Sequence, residues 1–191
     1  MKLLREHNPS HIAVVFDAKG PTFRNEAFED YKAHRKPMPD ELKPQIGVVK
    51  DLVRAYRIPL LEIEGIEADD VIGTLARRFE AEGVQVIIVS GDKDLMQLVS
   101  GGVVMVDTMK DKTYDAAGVE ERFGVGPDRV AELLGLMGDA SDNIPGVPGV
   151  GPKTALQLIK DYGSVEGVLQ NAAKIRNERI RKAVTEHADQ A

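Results

Sequence analysis

The stretch Val84-Gln85-Val86-Ile87-Ile88-Val89-Ser90-Gly91-Asp92-Lys93-Asp94 decides the fold. An apolar run of strand length stops at Ser90-Gly91 and turns at once into acids. Short continuous apolar runs of this kind belong to strands buried on both faces, as in a parallel sheet. Toward the amino end, Val71, Leu75 and Phe79 form one stripe of a helix predicted over Ala68 to Ala81. Before it stands a second candidate strand, Pro59 to Glu64. Before that, Leu42, Ile46, Val49, Val53 and Tyr56 recur at intervals of four and three, predicting an amphipathic helix. His11 to Phe16 is a third apolar run and ends on Asp17, while Met1 to Arg5 reads as the tail of a helix. Toward the carboxyl end, a short helix through Leu95, Met96 and Leu98 leads to a fourth strand at Val103 to Val106. This alternation predicts an α/β fold with a mainly parallel sheet flanked by helices. After about Tyr114 the strand signal stops, and helices are predicted over Ala116–Phe123, Pro127–Met137, Pro152–Tyr162, Val165–Asn171 and a basic segment around Lys174–Val184. The chain therefore divides into an α/β part, residues 1–115, and a helical part, residues 116–191.

Composition narrows the chemistry. The 191 residues hold no cysteine, which excludes disulfides, thiolate metal sites and a cysteine nucleophile, and fits a reducing compartment. No apolar run approaches the roughly 18 residues of a membrane span, and the polar opening Met1 to His7 supplies no secretory signal. Thirty-one acidic against 25 basic residues give a net charge of −6, without the basic footprint of a protein that coats nucleic acid.

The acids fall at particular places. Asp17 ends one strand, Asp92 and Asp94 follow another, and Glu67, Asp69 and Asp70 follow the Pro59–Glu64 strand at the start of a helix. Loops at the carboxyl ends of parallel strands converge on one crevice. Asp139 and Asp142 lie in a further turn, Gly138 to Asn143. Each acid alone could simply cap a helix. Gathered together they would repel and require cations, and oxygen ligands without His or Cys select Mg²⁺ or Mn²⁺. Two such ions roughly 3.5–4 Å apart can activate water and stabilise the leaving oxygen of a phosphodiester. An acidic site can thus hold a polyanion through its metals.

Gly146 to Thr154 has the look of a nucleotide-binding loop, but Pro152 separates Gly151 from Lys153 and no strand precedes it, so ATP binding is rejected. Two helices joined by a Gly-rich hairpin fit better, with Pro152 at the first helical position. The N–H groups of Gly151, Lys153 and Thr154 would face an anion there, and such a device grips phosphates without reading bases. An ordinary tight turn is the alternative. The basic segment 19–39, with Arg24, Lys32, Arg35 and Lys36, is either a solvated loop or an element placed over the crevice, with Lys32 or Arg35 against a scissile phosphate.

Five blocks in order, Phe16–Lys19, Tyr31–Arg35, Gly65–Asp70, Ser90–Asp94 and Gly138–Thr154, resemble the 5′ nuclease domain of bacterial DNA polymerase I, in the flap endonuclease superfamily. The resemblance runs over essentially the whole chain. It implies a PIN-like nuclease core followed by a helix–hairpin–helix region, and a structure-specific 5′-3′ exonuclease and flap endonuclease acting on DNA at junctions of single strand and duplex. By motif position it assigns Asp17, Glu67 and Asp69 to one metal, with Asp70 beside them, and Asp92, Asp94, Asp139 and Asp142 to a second, the metals being Mg²⁺ or Mn²⁺. Lys32 matches a lysine of the family's arch that acts on the scissile phosphate, with Arg24 and Arg35 as basic neighbours. Gly149, Gly151, Lys153 and Thr154 match the hairpin that holds the duplex backbone, often with K⁺. It further implies a cytoplasmic, nucleoid-associated bacterial protein with a polymerase region in the full-length chain.

Family members open with a strand that ends in another metal-binding Asp, followed by a helix with an aromatic and basic motif; this chain begins where that region finishes. The expectation is a shortened form with exposed sheet edges and impaired catalysis. Two other activities fit the residues: a module that holds DNA without cutting it, and a phosphatase-like metal enzyme acting on small phosphates.

Overall fold

A computed structural model describes residues 2–190, side chains from Leu3 onward. Met1 of the expected helical tail lies outside the described residues. The chain separates into two compact units, Met1–Glu29 with Arg35–Ile72, and Asp30–His34 with Gly73–Ala191.

In the first unit, helix α1 (Lys2–His7) precedes strand β1 (Val14–Val15) and the short helix α2 (Phe23–Ala27). Helix α3 (Lys43–Ala55) then leads to strand β2 (Leu60–Leu61) and the start of helix α4 (Ala68–Ala81). β1 and β2 pair in parallel, Val14 opposite Leu60 and Val15 opposite Leu61. Backbone bonds from Val14 N–H to the Pro59 carbonyl and from Phe16 N–H to the Leu61 carbonyl, both 2.9 Å, tie the strand ends together. Each strand's last apolar residue is thereby set next to the acids that follow it. The expected amphipathic stripe does lie on a helix, α3, but none of it is fully buried: Ile46 and Val53 are half-buried, while Val49 is 44% and Tyr56 48% exposed. Helical periodicity records a face able to be buried; whether it is buried depends on an opposing layer.

The second unit holds strand β3 (Val86–Val89), a 3-10 turn over Lys93–Leu98, and strands β4 (Val103–Asp107) and β5 (Lys112–Tyr114). The order is β3-β4-β5, the first pair parallel and the second antiparallel. Among the described residues the strands thus form two sheets, parallel in two of the three pairings. β5 was not expected from its sequence; it is a short return across the Thr108–Asp111 turn, where the Asp107 carboxylate accepts the Met109 and Lys110 N–H groups. β3 is an outer strand that buries Ile88 but exposes Ile87 and Val89, so it is covered on one face instead of two.

Helices α5 (Ala116–Phe123), α6 (Val130–Met137), α7 (Pro152–Tyr162), α8 (Val165–Gln170) and α9 (Glu178–Glu186) follow. Their core is Leu133, Leu136, Val147, Val150, Ala155, Leu158, Ile159, Val168, Ile175, Ile180 and Val184. α5 shows local chemistry setting its bounds: Asp115 accepts the Gly118 N–H at its start, and Gly124 (φ 78°) ends it in the left-handed region open to glycine. Among the described residues no helix is long and apolar enough to cross a membrane.

Candidate metal and nucleic-acid site

In the first unit the acids gather at the amino end of α4. Asp17, just beyond β1, accepts the Ala68 N–H through Oδ1 (2.8 Å), capping a helix 51 residues away. Glu67, Asp69 and Asp70 stand at that helix's start, where its unpaired N–H groups and dipole favour negative charge. Arg24, from α2, makes a two-pronged pair with Asp70, Nη1 to Oδ2 at 2.6 Å and Nη2 to Oδ1 at 2.8 Å, with Glu67 Oε2 at 3.8 Å. Arg24, a candidate DNA contact by sequence, is paired with acids here. Arg35 is exposed.

In the second unit the acids beyond β3 meet those of the loop after α6. Asp92 turns back to accept the Asp94 N–H (3.0 Å), opening the 3-10 turn, and donates its own N–H to Ser90 Oγ (3.0 Å). Lys93 bridges the two regions: its ammonium lies 2.7 Å from Asp139 Oδ2 and 3.2 Å from Asp94 Oδ1. Asp139 also accepts the Ser141 N–H (2.7 Å), and its backbone bonds twice to Ile144, closing the loop. Asp142 Oδ2 accepts from the Tyr31 hydroxyl (3.0 Å) and lies 3.6 Å from Lys32 Nζ, while the Lys32 N–H donates to the Asp142 carbonyl (2.9 Å). Lys32 and Asn143 both hold positive φ, 56° and 60°, a conformation kept here because Asn143 Nδ2 also bonds the Asp30 carbonyl (2.7 Å).

These contacts set the charge states. Burial pulls the Lys93 ammonium down, but its bonds to Asp139 and Asp94 outweigh this and hold its pKa above the ordinary lysine value. Burial raises Asp94, with the Asp139 and Asp92 charges adding to it against the lowering by Lys93. Burial would raise Asp139 too, yet the Lys93 and Ser141 bonds prevail and lower it.

Among the described residues no group of three or more His, Asp or Glu side chains is arranged to hold a metal ion. Arg24, Lys93 and Lys32 sit on the carboxylates and supply positive charge there. The donors nonetheless suit a hard divalent cation. Asp94 and Asp139 direct oxygens at one cationic centre, the Lys93 ammonium, and the Asp94 Oδ1 that faces it is sealed from solvent. Mg²⁺ commonly takes one or two carboxylates and completes its shell with water and substrate phosphate.

The hairpin runs between α6 and α7. Val147 and Val150 anchor it in the core, Gly149 turns at φ 81°, and Gly151 precedes Pro152 at the start of α7. Lys153 is exposed and Thr154 half-buried, beside first-turn N–H groups that have no intrahelical acceptor. Lys93 and Tyr31 were missed as site residues. The Lys between two acids in Asp92-Lys93-Asp94 was a usable signal, whereas Tyr31 meets Asp142 only through folding.

The family model described as "5'-3' exonuclease, N-terminal resolvase-like domain" matches residues 1–124, and "5'-3' exonuclease, C-terminal SAM fold" matches residues 125–191. The chain belongs to the 5′-3′ exonuclease family. Its relatives in that family include DNA polymerase I of Pseudomonas aeruginosa, 54% identical over 96% of this chain, and DNA polymerase I of Bacillus caldotenax, 47% identical over all of it. A 5'-3' exonuclease of Aquifex aeolicus is 46% identical over 92% of the chain. The chain spans 20–22% of those polymerases and 61% of the Aquifex protein. T5 5'-exonuclease, solved with divalent metal ions (zinc), superposes over 99% of this chain and 74% of its own with a TM-score of 0.87. The T5 D15 flap endonuclease, solved with DNA and metal ions, gives 0.86 over 99% and 74%. At 22% identity these two establish the shared fold.

Proposed function

We propose that the chain is a metal-dependent DNA 5′ nuclease, a 5′-3′ exonuclease and flap endonuclease cutting phosphodiesters near junctions of single strand and duplex. The observation that carries this reading is the Lys93 ammonium held between Asp139 and a solvent-sealed oxygen of Asp94. It marks a place built for positive charge at the end of a strand. Asp92, Asp94, Asp139 and Asp142 would hold one Mg²⁺ or Mn²⁺, and Asp17, Glu67, Asp69 and Asp70 another. Such ions supply an activated water and a counter-charge for the leaving oxygen. Lys32 and Arg35 would stabilise charge developing on the scissile phosphate; Tyr31 holds Asp142 beside Lys32.

Residues 1–115 would then form the cutting core and residues 116–191 the part that holds the duplex. Gly149, Gly151, Lys153 and Thr154 would grip its backbone, with K⁺ at the hairpin, and Arg24 would reach DNA once released from Asp70. Family relatives named DNA polymerase I support a setting in the bacterial cytoplasm, on DNA, in a longer chain with a polymerase region. The test is cleavage of a labelled 5′-flap duplex with Mg²⁺ or Mn²⁺ by wild type and by Asp94→Ala. Metal-dependent cutting that disappears in the variant is expected, and cutting that persists in it overturns the site assignment.

A second reading, DNA held without cleavage, is favoured by the acids' existing partners, Arg24, Lys93 and Lys32. It predicts salt-sensitive binding with no metal-dependent product at any metal concentration.

A further inference from the structure

Several basic side chains of the helical region answer to a neighbour. Lys174 Nζ donates to Asn171 Oδ1 (2.7 Å), Arg181 to the Ile175 carbonyl (2.9 Å), Arg129 pairs with Glu132 and Lys182 with Glu186. Lys153 and Lys160 are exposed and make no side-chain hydrogen bond or ion pair among the described residues, and the same holds for Arg176 and Arg179, which differ in lying close together along the chain. Both arginines open on one cleft of about 970 Å³, whose walls also include Gly149, Thr154 and Lys174. One acid lines it, Asp161, already accepting from Gln157 Nε2 (2.7 Å).

The Arg179 guanidinium stands directly beside the hairpin. A β-carbon on Gly149 would lie 3.7 Å from its Nε and Nη2. Asn177 fixes the start of α9 by accepting the Arg179 and Ile180 N–H groups, and buried Ile175 and Ile180 anchor the flanking chain. The two guanidiniums are thus carried on a firm base and left without partners. In a chain of net charge −6, two such arginines on one cleft suit a ligand of high anionic density. The planar guanidinium matches phosphate in a two-pronged geometry.

We propose that Arg176 and Arg179 form a second phosphate-binding element, taking phosphodiesters of a DNA duplex next to those held by the hairpin. This rests on the reading of the hairpin as a duplex-holding device. The element grips backbone and selects no base, so it sets how firmly and in what register the duplex lies, whatever its sequence.

The test is fluorescence anisotropy of a labelled duplex over a series of KCl concentrations, with EDTA present to suppress cleavage. Wild type, Lys153→Gln, the double variant Arg176→Gln/Arg179→Gln and the control Lys182→Gln are compared, with circular dichroism confirming the fold. Each phosphate that a variant no longer neutralises lowers the slope of log K against log salt by about 0.9. The double variant is expected to lose about 1.8 in slope and about an order of magnitude in affinity at 0.1 M salt, with Lys182→Gln unchanged. A double variant with the wild-type slope, or one no different from Lys182→Gln, overturns the proposal. A loss in Lys153→Gln alone would keep the hairpin reading and reject the cleft. A loss in the double variant alone would keep the cleft and reject the hairpin.

Discussion

Replacing Gly146 with alanine tests whether the loop bearing Asp139 and Asp142 has one permissible shape. The loop leaves α6 at Gly138 and returns at Gly146, where the Val147 N–H bonds the Leu136 carbonyl (2.9 Å). A β-carbon on Gly146 would stand 2.7 Å from the Leu136 carbonyl oxygen, and closer still to the Gly138 nitrogen and the Met137 carbonyl carbon. Ordinary contact begins near 3.4 Å, so the backbones must part by at least 0.7 Å at the oxygen, the difference of those two distances. Every obstructing atom is main chain, so no rotamer change relieves the clash. Overpacking costs about 1–3 kcal/mol, and the main-chain obstruction puts this case at about 3 kcal/mol. For a chain of this size that is a fall in Tm of about 6–12 °C. Thermal unfolding followed by circular dichroism reads it, with Gly101→Ala as control because a β-carbon there meets nothing within 4 Å. Since the same loop positions Asp139 against Lys93, Mn²⁺ affinity should also weaken by about tenfold, about 1.4 kcal/mol. A variant melting within about 2 °C of wild type, half a kcal/mol or so, would refute the argument.

Lys93→Met removes the ammonium between Asp94 and Asp139, so metal-free stability should fall by about 1 kcal/mol for these partly exposed pairs. Mn²⁺, no longer competing with Lys93, should bind about tenfold tighter by titration calorimetry; weaker binding would show that Lys93 does not compete for the site. Gly47→Ala lies on the exposed side of α3 with nothing near the new methyl group, and should stabilise by about 0.5–1 kcal/mol in chemical denaturation. Asp107 is held below its ordinary 3.8 by its bond to Lys110 Nζ, against a raising contribution from burial. Its native form binds protons less readily than the unfolded chain, so its stabilisation is full above that ordinary value and is lost as pH falls through the lowered one. Urea midpoints of Asp107→Asn should therefore decline less steeply than wild type below about pH 4; parallel curves would remove Asp107 as a source of acid sensitivity.

Local chemistry made much of the fold readable. α4, α5 and α7 begin and end where periodicity, Asp115, Gly124, Pro152 and Gly163 place them, because a helix of this length closes its bonds within its own segment and stops where a cap or a glycine ends it. The strands were found from their apolar runs, though β1 and β2 are far shorter than the runs suggest. α2 and β5 escaped notice because neither has a hydrophobic period of its own. The acids at strand ends were equally legible as residues. Their partners were not: Arg24 reaches Asp70 and Lys93 reaches Asp139 across 46 positions, and Tyr31 reaches Asp142 across 111.

The order of elements, the end of strand-forming sequence at Tyr114, and the supply of carboxylates are written in neighbouring residues, since propensity, capping and periodicity act over a few positions; the two compact units, which part within α4 and not at residue 115, are not. Which cation rests on which carboxylate, and which arginines are left with none, is decided only when distant segments pack. Coulomb attraction and desolvation depend on separations in space, and those belong to the folded chain.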